Sequence, residues 1–163
     1  MITIFKTSSH YPMLIRAFEC STGDVLEMGT GMYSTPLLHW LAADAGRKLV
    51  SYDNDRAYIR LNHYCQSPLH ELRRVADWDE ADIEREWGLV LIDHHPGERR
   101  AVDAIRVAPF ARLVVVHDTE PRYASVYRYE RLNSHYQYRY DYKKFKPFTS
   151  VFSNFDDLRW CHD

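Results

Sequence analysis

Residues 25–38 read Val-Leu-Glu-Met-Gly-Thr-Gly-Met-Tyr-Ser-Thr-Pro-Leu-Leu, and this stretch decides the fold. The apolar residues before Gly29 predict a buried strand, and those that close the stretch predict a helix, which Ser34 or Thr35 can cap. Gly29 and Gly31 can take positive φ or let a ligand approach the backbone. Such a strand–turn–helix leaves free N–H groups at a positive dipole end, which binds anions. Many glycine turns exist for backbone reasons alone, so this motif needs support from elsewhere.

The rest of the chain predicts strands and helices in alternation. Strands are expected at residues 24–28, 48–53, 71–75, 87–93 and 113–117, and helices at 11–20, 37–46, 56–64, 79–83 and 99–107. This β-α repeat predicts a parallel sheet with right-handed crossovers. Tyrosines alternate with polar residues over 136–143, and another strand is expected at 148–152, so the tail predicts an antiparallel hairpin at one sheet edge.

Composition excludes several classes of protein. The 163 residues suit one domain, and the net charge of −2 gives no general attraction to nucleic acid or membranes. Three cysteines without a C-x-x-C motif favour free thiols in a reducing compartment. The N-terminal run 1–6 is too short for a signal peptide, and no apolar run reaches membrane-spanning length. We therefore expect a cytoplasmic protein.

Polar and acidic residues follow all five predicted parallel strands. The carboxyl ends of such strands meet at one edge of the sheet, where ligands bind. Five endings of this kind indicate one site rather than ordinary loop composition. In strand order the residues are Glu27, Gly29, Gly31, Tyr33 and Ser34; Asp53 and Asn54; Asp77 and Trp78; Asp93, His94 and His95; and His117, Asp118, Thr119 and Glu120.

Two of these endings suit a nucleoside. Asp53 stands 22 positions after Gly31, where an acid can accept both hydroxyls of a ribose. The alternative is that Asp53 caps the next helix together with its neighbours. Asp77 and Trp78 can hold an adenine, the carboxylate taking the amino group and the indole stacking. A packed tryptophan beside a capping aspartate explains the same pair equally well.

These residues together carry a family resemblance. The order Glu27-x-Gly29-x-Gly31, then Asp53, then Asp77, then an apolar strand ending in Asp93, resembles class I S-adenosylmethionine-dependent methyltransferases over nearly the whole chain. Residues 90–94 and 115–119 look like the catechol O-methyltransferase-like branch. The resemblance implies a Rossmann-like, doubly wound α/β fold whose mostly parallel sheet has the order 3-2-1-4-5-7-6.

The resemblance also implies roles for individual residues. Glu27, Gly29 and Ser34 would line the methionine part of S-adenosylmethionine, with Gly31 in the same turn. Asp53 would hold the ribose, and Asp77 and Trp78 the adenine. Asp93 and Asp118 would form part of a metal site, for which Mg²⁺ is one option because hard cations take oxygen ligands. A carboxylate that holds substrate or cofactor without a metal is the competing interpretation.

The sequence departs from that branch in three places. The glycine turn is one residue shorter, the lysine expected soon after Asp-His is missing, and Thr119 replaces the expected asparagine. The Asp/Asn-Pro-Pro-aromatic signature of amino-group methyltransferases is absent as well. The metal site therefore carries over only in part, and the sequence favours an oxygen acceptor over an amino group.

Methyl transfer from a sulfonium needs in-line positioning and removal of a proton from the acceptor. A neutral histidine suits the second task, and the candidates are His94, His95 and His117. We favour His94 as the base, with Asp93 and His95 completing the predicted catalytic group. For each histidine alone, a structural hydrogen bond is the alternative.

The partners are less defined than the cofactor. Basic residues and tyrosines mix between Arg122 and Lys146, a pattern that grips single-stranded nucleic acid, but a packed tyrosine face explains it better. We therefore expect a small-molecule acceptor, no nucleic acid and no membrane, and the sequence leaves a homodimer open. Two other functions stay open: another reaction of the same cofactor, and a non-catalytic cofactor-binding module.

Overall fold

A seven-stranded sheet forms the centre of the computed structural model, which describes residues 8–162. The strands are β1 (Val25–Met28), β2 (Leu49–Asp53), β3 (His70–Arg74), β4 (Trp87–Ile92), β5 (Ala111–His117), β6 (Tyr138–Tyr142) and β7 (Thr149–Ser153). The helices are α1 (Tyr11–Glu19), α2 (Ser34–Asp44), α3 (Arg56–Leu61), α4 (Arg100–Val107) and α5 (Pro121–Ala124). The sequence prediction for the N-terminal run 1–6 lies outside the described residues.

The sheet order is β3-β2-β1-β4-β5-β7-β6, as predicted. The first five strands in this order are parallel, and β7 runs antiparallel to both β5 and β6. This confirms the Rossmann-like fold class and the terminal hairpin. Every residue of β1 and β4 is buried, because helices and loops cover both faces of a parallel sheet. Within residues 8–162 no helix has the length and apolar character needed to span a bilayer.

Two of the predicted helices differ in the structure. The helix predicted at residues 56–64 ends at Leu61 as α3 and buries none of its side chains, because the following turn places Asn62 and Cys65 inside instead. The helix predicted from Asp79 was wrong. Asp77 caps only a short 3-10 turn there, and the chain then runs without regular structure to Ile83, which is fully buried.

The sequence predicts Val102, Ile105 and Ala108 on the inner face of helix α4, but only Ala108 is buried, and Val102 and Ile105 are half-buried. Arg100 and Asp103 face inward instead, together with Ala101, Ala104 and Val107. Asp103 has no exposed side-chain surface and accepts hydrogen bonds from His94 and Arg99, both at 2.9 Å. Burial raises the pKa of Asp103, but these hydrogen bonds outweigh that effect and hold the pKa below its ordinary value.

Candidate functional site

A crevice of about 530 Å³ lies beyond the carboxyl ends of the central parallel strands, within the size range of small-ligand sites. Eleven of the predicted site residues line it: Gly29, Gly31, Tyr33, Ser34, Asp53, Asn54, Asp93, His94, His95, His117 and Asp118. Glu27, Asp77 and Trp78 do not. A wider groove of about 730 Å³ lies at the opposite ends of the strands, where parallel sheets do not bind ligands.

The two glycines of the turn have different reasons to be glycine. Gly29 has φ +94°, and a Cβ there would lie 2.6 Å from the Cα of His94, so the fold itself requires glycine. Gly31 has no such constraint: a Cβ would meet the Ser34 hydroxyl at 3.4 Å and the backbone nitrogen of Tyr33 at 4.0 Å. Since Gly31 lines the crevice, its missing side chain leaves room for a ligand against the backbone.

Asp53 fixes the glycine turn as well as facing the crevice. Its Oδ2 accepts hydrogen bonds from the backbone N–H and the hydroxyl of Thr30, at 2.7 and 2.9 Å, and its Oδ1 accepts from the Asp55 N–H at 2.8 Å. A carboxylate has about four acceptor positions, so one remains for a ligand hydroxyl. Asp55 lines the crevice beside it and caps α3.

Glu27 lies beneath the crevice rather than in its wall. Its side chain is fully buried between the hydroxyls of Thr35 and Ser51, which donate to it at 3.0 and 2.6 Å. Burial is the main cause that raises the pKa of Glu27 to about 7. Glu27 therefore positions the first turn of α2, and the predicted direct contact with a ligand is not what this geometry provides.

The structure does not bring the predicted adenine pair to the crevice. Asp77 is exposed, and its carboxylate accepts a hydrogen bond from the Asp79 N–H and so caps the turn that follows. Trp78 is 3% exposed, packs edge-on against His94 and donates its indole N–H to the His95 carbonyl at 2.7 Å. Its ring is part of the core, so the packing alternative describes this residue better than stacking on a ligand.

The adjacent histidines have opposite environments. The His94 side chain has no exposed surface and its Nε2 bonds to Asp103. Burial is the largest of the effects on the pKa of His94 and lowers it. His95 is exposed and lines both the crevice and a neighbouring groove that contains Tyr123 and Tyr127. Of the two, only His95 can meet a bound acceptor.

Arg100 occupies the position between the two predicted metal ligands. Its guanidinium is 2% exposed and pairs with Asp93 at 3.0 Å and Asp118 at 2.9 Å. It also donates to the backbone carbonyls of His94, Asp93 and His117. Each carboxylate already faces a cation, so the structure does not favour Mg²⁺ between Asp93 and Asp118.

Asp93 also pairs with His117, whose Nδ1 lies 3.2 Å from its Oδ2. Burial alone would raise the pKa of Asp93, but His117 and Arg100 hold it far below its ordinary value. Burial likewise opposes the charged form of His117, yet Asp93 raises its pKa overall. His10 packs edge-on against His117, and burial is the main cause that lowers the pKa of His10 to about 4.

Sequence reasoning did not assign several residues of this crevice. From the sequence, Glu98, Arg99 and Arg100 can clamp an acidic acceptor or form a solvated helix start, and nothing in its immediate neighbours shows that Arg100 is buried. Tyr58 is a candidate for the inner face of its helix, but it is 44% exposed and lines the crevice. A signal for Arg100 did exist: residues 100, 103, 104 and 107 share the spacing of one helix face.

No protein-family model and no curated protein matches this sequence. Solved structures do match. An O-methyltransferase from Bacillus cereus in complex with SAH superposes with a TM-score of 0.64 and 16% identity, covering 90% of this chain and 80% of that one. A putative O-methyltransferase from Klebsiella pneumoniae superposes with a TM-score of 0.62 and 16% identity, covering 87% of this chain and 77% of that one. The N-terminal domain of human METTL16 in complex with SAH superposes with a TM-score of 0.57 and 14% identity, covering 91% of this chain and 69% of that one.

These similarities concern the fold. The matching structures are methyltransferases, including O-methyltransferases, so the resemblance inferred from the sequence is confirmed at the level of architecture. Identities of this size do not transfer an acceptor, a metal or a residue's role. Fold and crevice together therefore define a Rossmann-like α/β domain with a ligand-sized site at the carboxyl ends of its strands, and its activity has to be argued from that site.

Proposed function

We propose that this protein binds S-adenosylmethionine in the crevice and transfers the methyl group to an oxygen of a small acceptor. The observation that carries the proposal is Gly31, a glycine that the fold does not require, in a turn at the start of a helix and in the wall of a ligand-sized crevice. Structures of the same fold in complex with SAH support the choice of cofactor.

The crevice offers complementary groups for each part of this cofactor. No side chain caps the start of α2, and the backbone there lines the crevice beside Ser34, so its N–H groups suit the amino-acid carboxylate. Asp53 and Asp55 suit the ribose hydroxyls. The exposed ring of Tyr58 replaces Trp78 as the proposed aromatic surface for adenine.

The acceptor would lie in the neighbouring groove of about 520 Å³. Its wall includes Tyr123 and Tyr127, whose rings stack with centroids 5.2 Å apart and favour a flat acceptor. His95 lies where groove and crevice adjoin, and we propose that it takes the acceptor's proton. The bound cofactor supplies the methyl group, and the protein holds the acceptor oxygen in line and excludes water.

A small molecule remains the proposed acceptor rather than a nucleic acid. Tyr138, Tyr140 and Tyr142 pack against the core on one face of β6, so these tyrosines are not free to stack on bases. The cytoplasmic location and the homodimer stay predictions.

Titration calorimetry tests the cofactor directly. We expect the protein to bind S-adenosylmethionine and SAH, and Gly31→Ala to weaken both at least ~10-fold, since a methyl group would occupy the ligand's space. Gly46→Ala is the control, because its Cβ would meet nothing within 4 Å and it lies outside the crevice. Absence of binding to both ligands refutes the proposal.

Two further outcomes identify the alternatives. Binding without methyl transfer to a panel of hydroxylated aromatic acceptors favours a non-catalytic cofactor-binding module. Breakdown of the cofactor without any acceptor favours a different reaction on the same fold.

A further inference from the structure

Three potential metal ligands meet beside the crevice, and one of them, Asp93, is also a member of the carboxylate pair that Arg100 contacts. They are His10, Asp93 and His117, and one ligand atom from each lies within 4.8 Å of the others. His10 immediately precedes α1, whereas Asp93 follows β4 and His117 ends β5. The fold therefore brings His10 to two residues that lie more than eighty positions further along the chain.

His10 is the first unusual member of this group. Its side chain is 3% exposed, and neither ring nitrogen has a hydrogen-bond partner among residues 8–162. A buried polar atom without a partner costs free energy, and native proteins leave few of them. Two on one ring indicate that the ring serves a partner outside residues 8–162, for which a bound ligand is the candidate.

The hydrogen bonds of His117 are the second unusual feature of this group, because a neutral His117 leaves two acceptor atoms facing each other. The Ser9 hydroxyl donates its single proton to the Pro147 carbonyl at 2.7 Å, so it accepts from Nε2 of His117 at 2.9 Å. A neutral His117 then turns the lone pair of Nδ1 toward the Asp93 carboxylate, 3.2 Å away. Two electron-rich atoms at this distance require a cation between them. A proton satisfies this pair but leaves His10 without a partner, whereas a metal ion satisfies all three residues.

We propose that His10, Asp93 and His117 form a binding site for a divalent transition metal ion such as Zn²⁺. Two imidazole nitrogens and one carboxylate oxygen are the donor set that such ions prefer, whereas Mg²⁺ prefers oxygen alone. This site goes beyond the proposed methyl transfer and does not depend on it.

The geometry is close to what a tetrahedral ion requires. Ligand atoms about 2.0 Å from zinc lie about 3.3 Å apart, near the 3.2 Å between His117 Nδ1 and Asp93 Oδ2. The His10 ligand atom lies within 4.8 Å of these two atoms, so His10 has to move toward them to complete the site. The other oxygen of Asp93 is held by Arg100, and Ser9 holds the far nitrogen of His117, which are typical supporting contacts of metal ligands. Asp93 and His117 both line the crevice, so a fourth position opens toward it.

The test measures metal binding alone. Protein stripped with a chelator is titrated with Zn²⁺ by calorimetry, and Co²⁺ is used as a visible-absorption probe of the ligand geometry. We expect one ion per chain and a tetrahedral Co²⁺ spectrum. His10→Ala and His117→Ala should each lower Zn²⁺ affinity at least ~100-fold, and Ser9→Ala ~10-fold. Excess Mg²⁺ should not compete.

His63→Ala is the control, because His63 is an exposed histidine in the turn between α3 and β3 and is not a member of this group. Circular dichroism and thermal unfolding without metal establish that each variant folds. Ser9→Ala keeps all three proposed ligands, so it tests the site even if a ligand variant fails to fold. The proposal is overturned if no stoichiometric binding occurs, if His10→Ala binds like the unaltered protein, or if His63→Ala loses as much affinity as His10→Ala.

Discussion

Arg100→Met removes the buried cation on which the centre of the crevice depends. The guanidinium makes five contacts of 2.8–3.2 Å: three with backbone carbonyls and one with each of Asp93 and Asp118. Methionine fills a similar space but offers no donor. Two neighbouring carboxylates then lose their shared counterion, and three carbonyls lose their partner.

The magnitude follows from burial. Breaking a buried ion pair by removing one partner costs about 3–5 kcal/mol, since the remaining charge is left uncompensated. Asp93 and Asp118 are 23% and 21% exposed, so water in the crevice solvates them in part. We therefore expect the lower end, about 3 kcal/mol of unfolding free energy. Asp118→Asn in the same chain should restore about 1 kcal/mol, because it removes one of the two facing charges.

Urea unfolding followed by tryptophan fluorescence measures these differences. The matched control is Arg112→Met, which breaks the surface pair with Asp156 at 3.2 Å, where the arginine is 51% exposed. Surface pairs contribute about 0–1 kcal/mol, so this variant should stay close to the unaltered protein. Equal costs for Arg100→Met and Arg112→Met would refute the assignment of a buried, stabilising cation.

Three further predictions concern pH, catalysis and the glycine turn. The pKa of Glu27 is raised from 4.5 to about 7, so its contribution to stability is full below pH 4.5 and is lost as the pH rises through 7. We therefore expect the free energy of unfolding of Glu27→Gln to rise by about 3 kcal/mol relative to that of the unaltered protein between pH 4 and pH 8. Chemical denaturation at each pH measures this difference, and a difference that stays constant with pH would contradict the prediction. His95→Ala should lower turnover by ~10²-fold or more in a methyl-transfer assay while calorimetry finds S-adenosylmethionine affinity unchanged; unaltered turnover removes His95 from its role. Gly29→Ala should lower the free energy of unfolding in urea by at least ~2 kcal/mol. Gly46→Ala should lower it by about 1 kcal/mol, because Gly46 also has positive φ but its Cβ would meet no other atom within 4 Å. Similar losses for the two variants would show that the turn does not need close packing.

The architecture was readable from the sequence because each parallel strand is a short apolar run followed by a polar ending. Because such strands are buried on both faces, nearly all of their residues are apolar, and this run can be recognised without knowing which other elements pack against it. The helix faces were less readable. Two charged residues of α4 turn inward because each finds a partner from another part of the chain, and periodicity of apolar residues cannot show such pairs.

The same distinction explains the site. The glycine turn and Asp53 line the crevice, because their positions relative to the strands are fixed by local spacing. Trp78 and Glu27 are buried beneath the crevice by contacts with residues distant in sequence, which local spacing does not show. His10 carries no signal in the sequence, since its proximity to His117 arises only when the chain before α1 reaches the end of β5.

The contact of Gly29 with the chain after β4 has a consequence for how this protein can diversify. The floor of the pocket there is polypeptide main chain, whose shape is insensitive to amino-acid replacement so long as that one glycine is retained. Mutations at the rim, around Met32, Tyr33 and Tyr58, can accordingly alter what is recognised without remodelling the scaffold underneath. Among relatives of this protein, the sequence should therefore vary most at these rim positions and least at the position of Gly29.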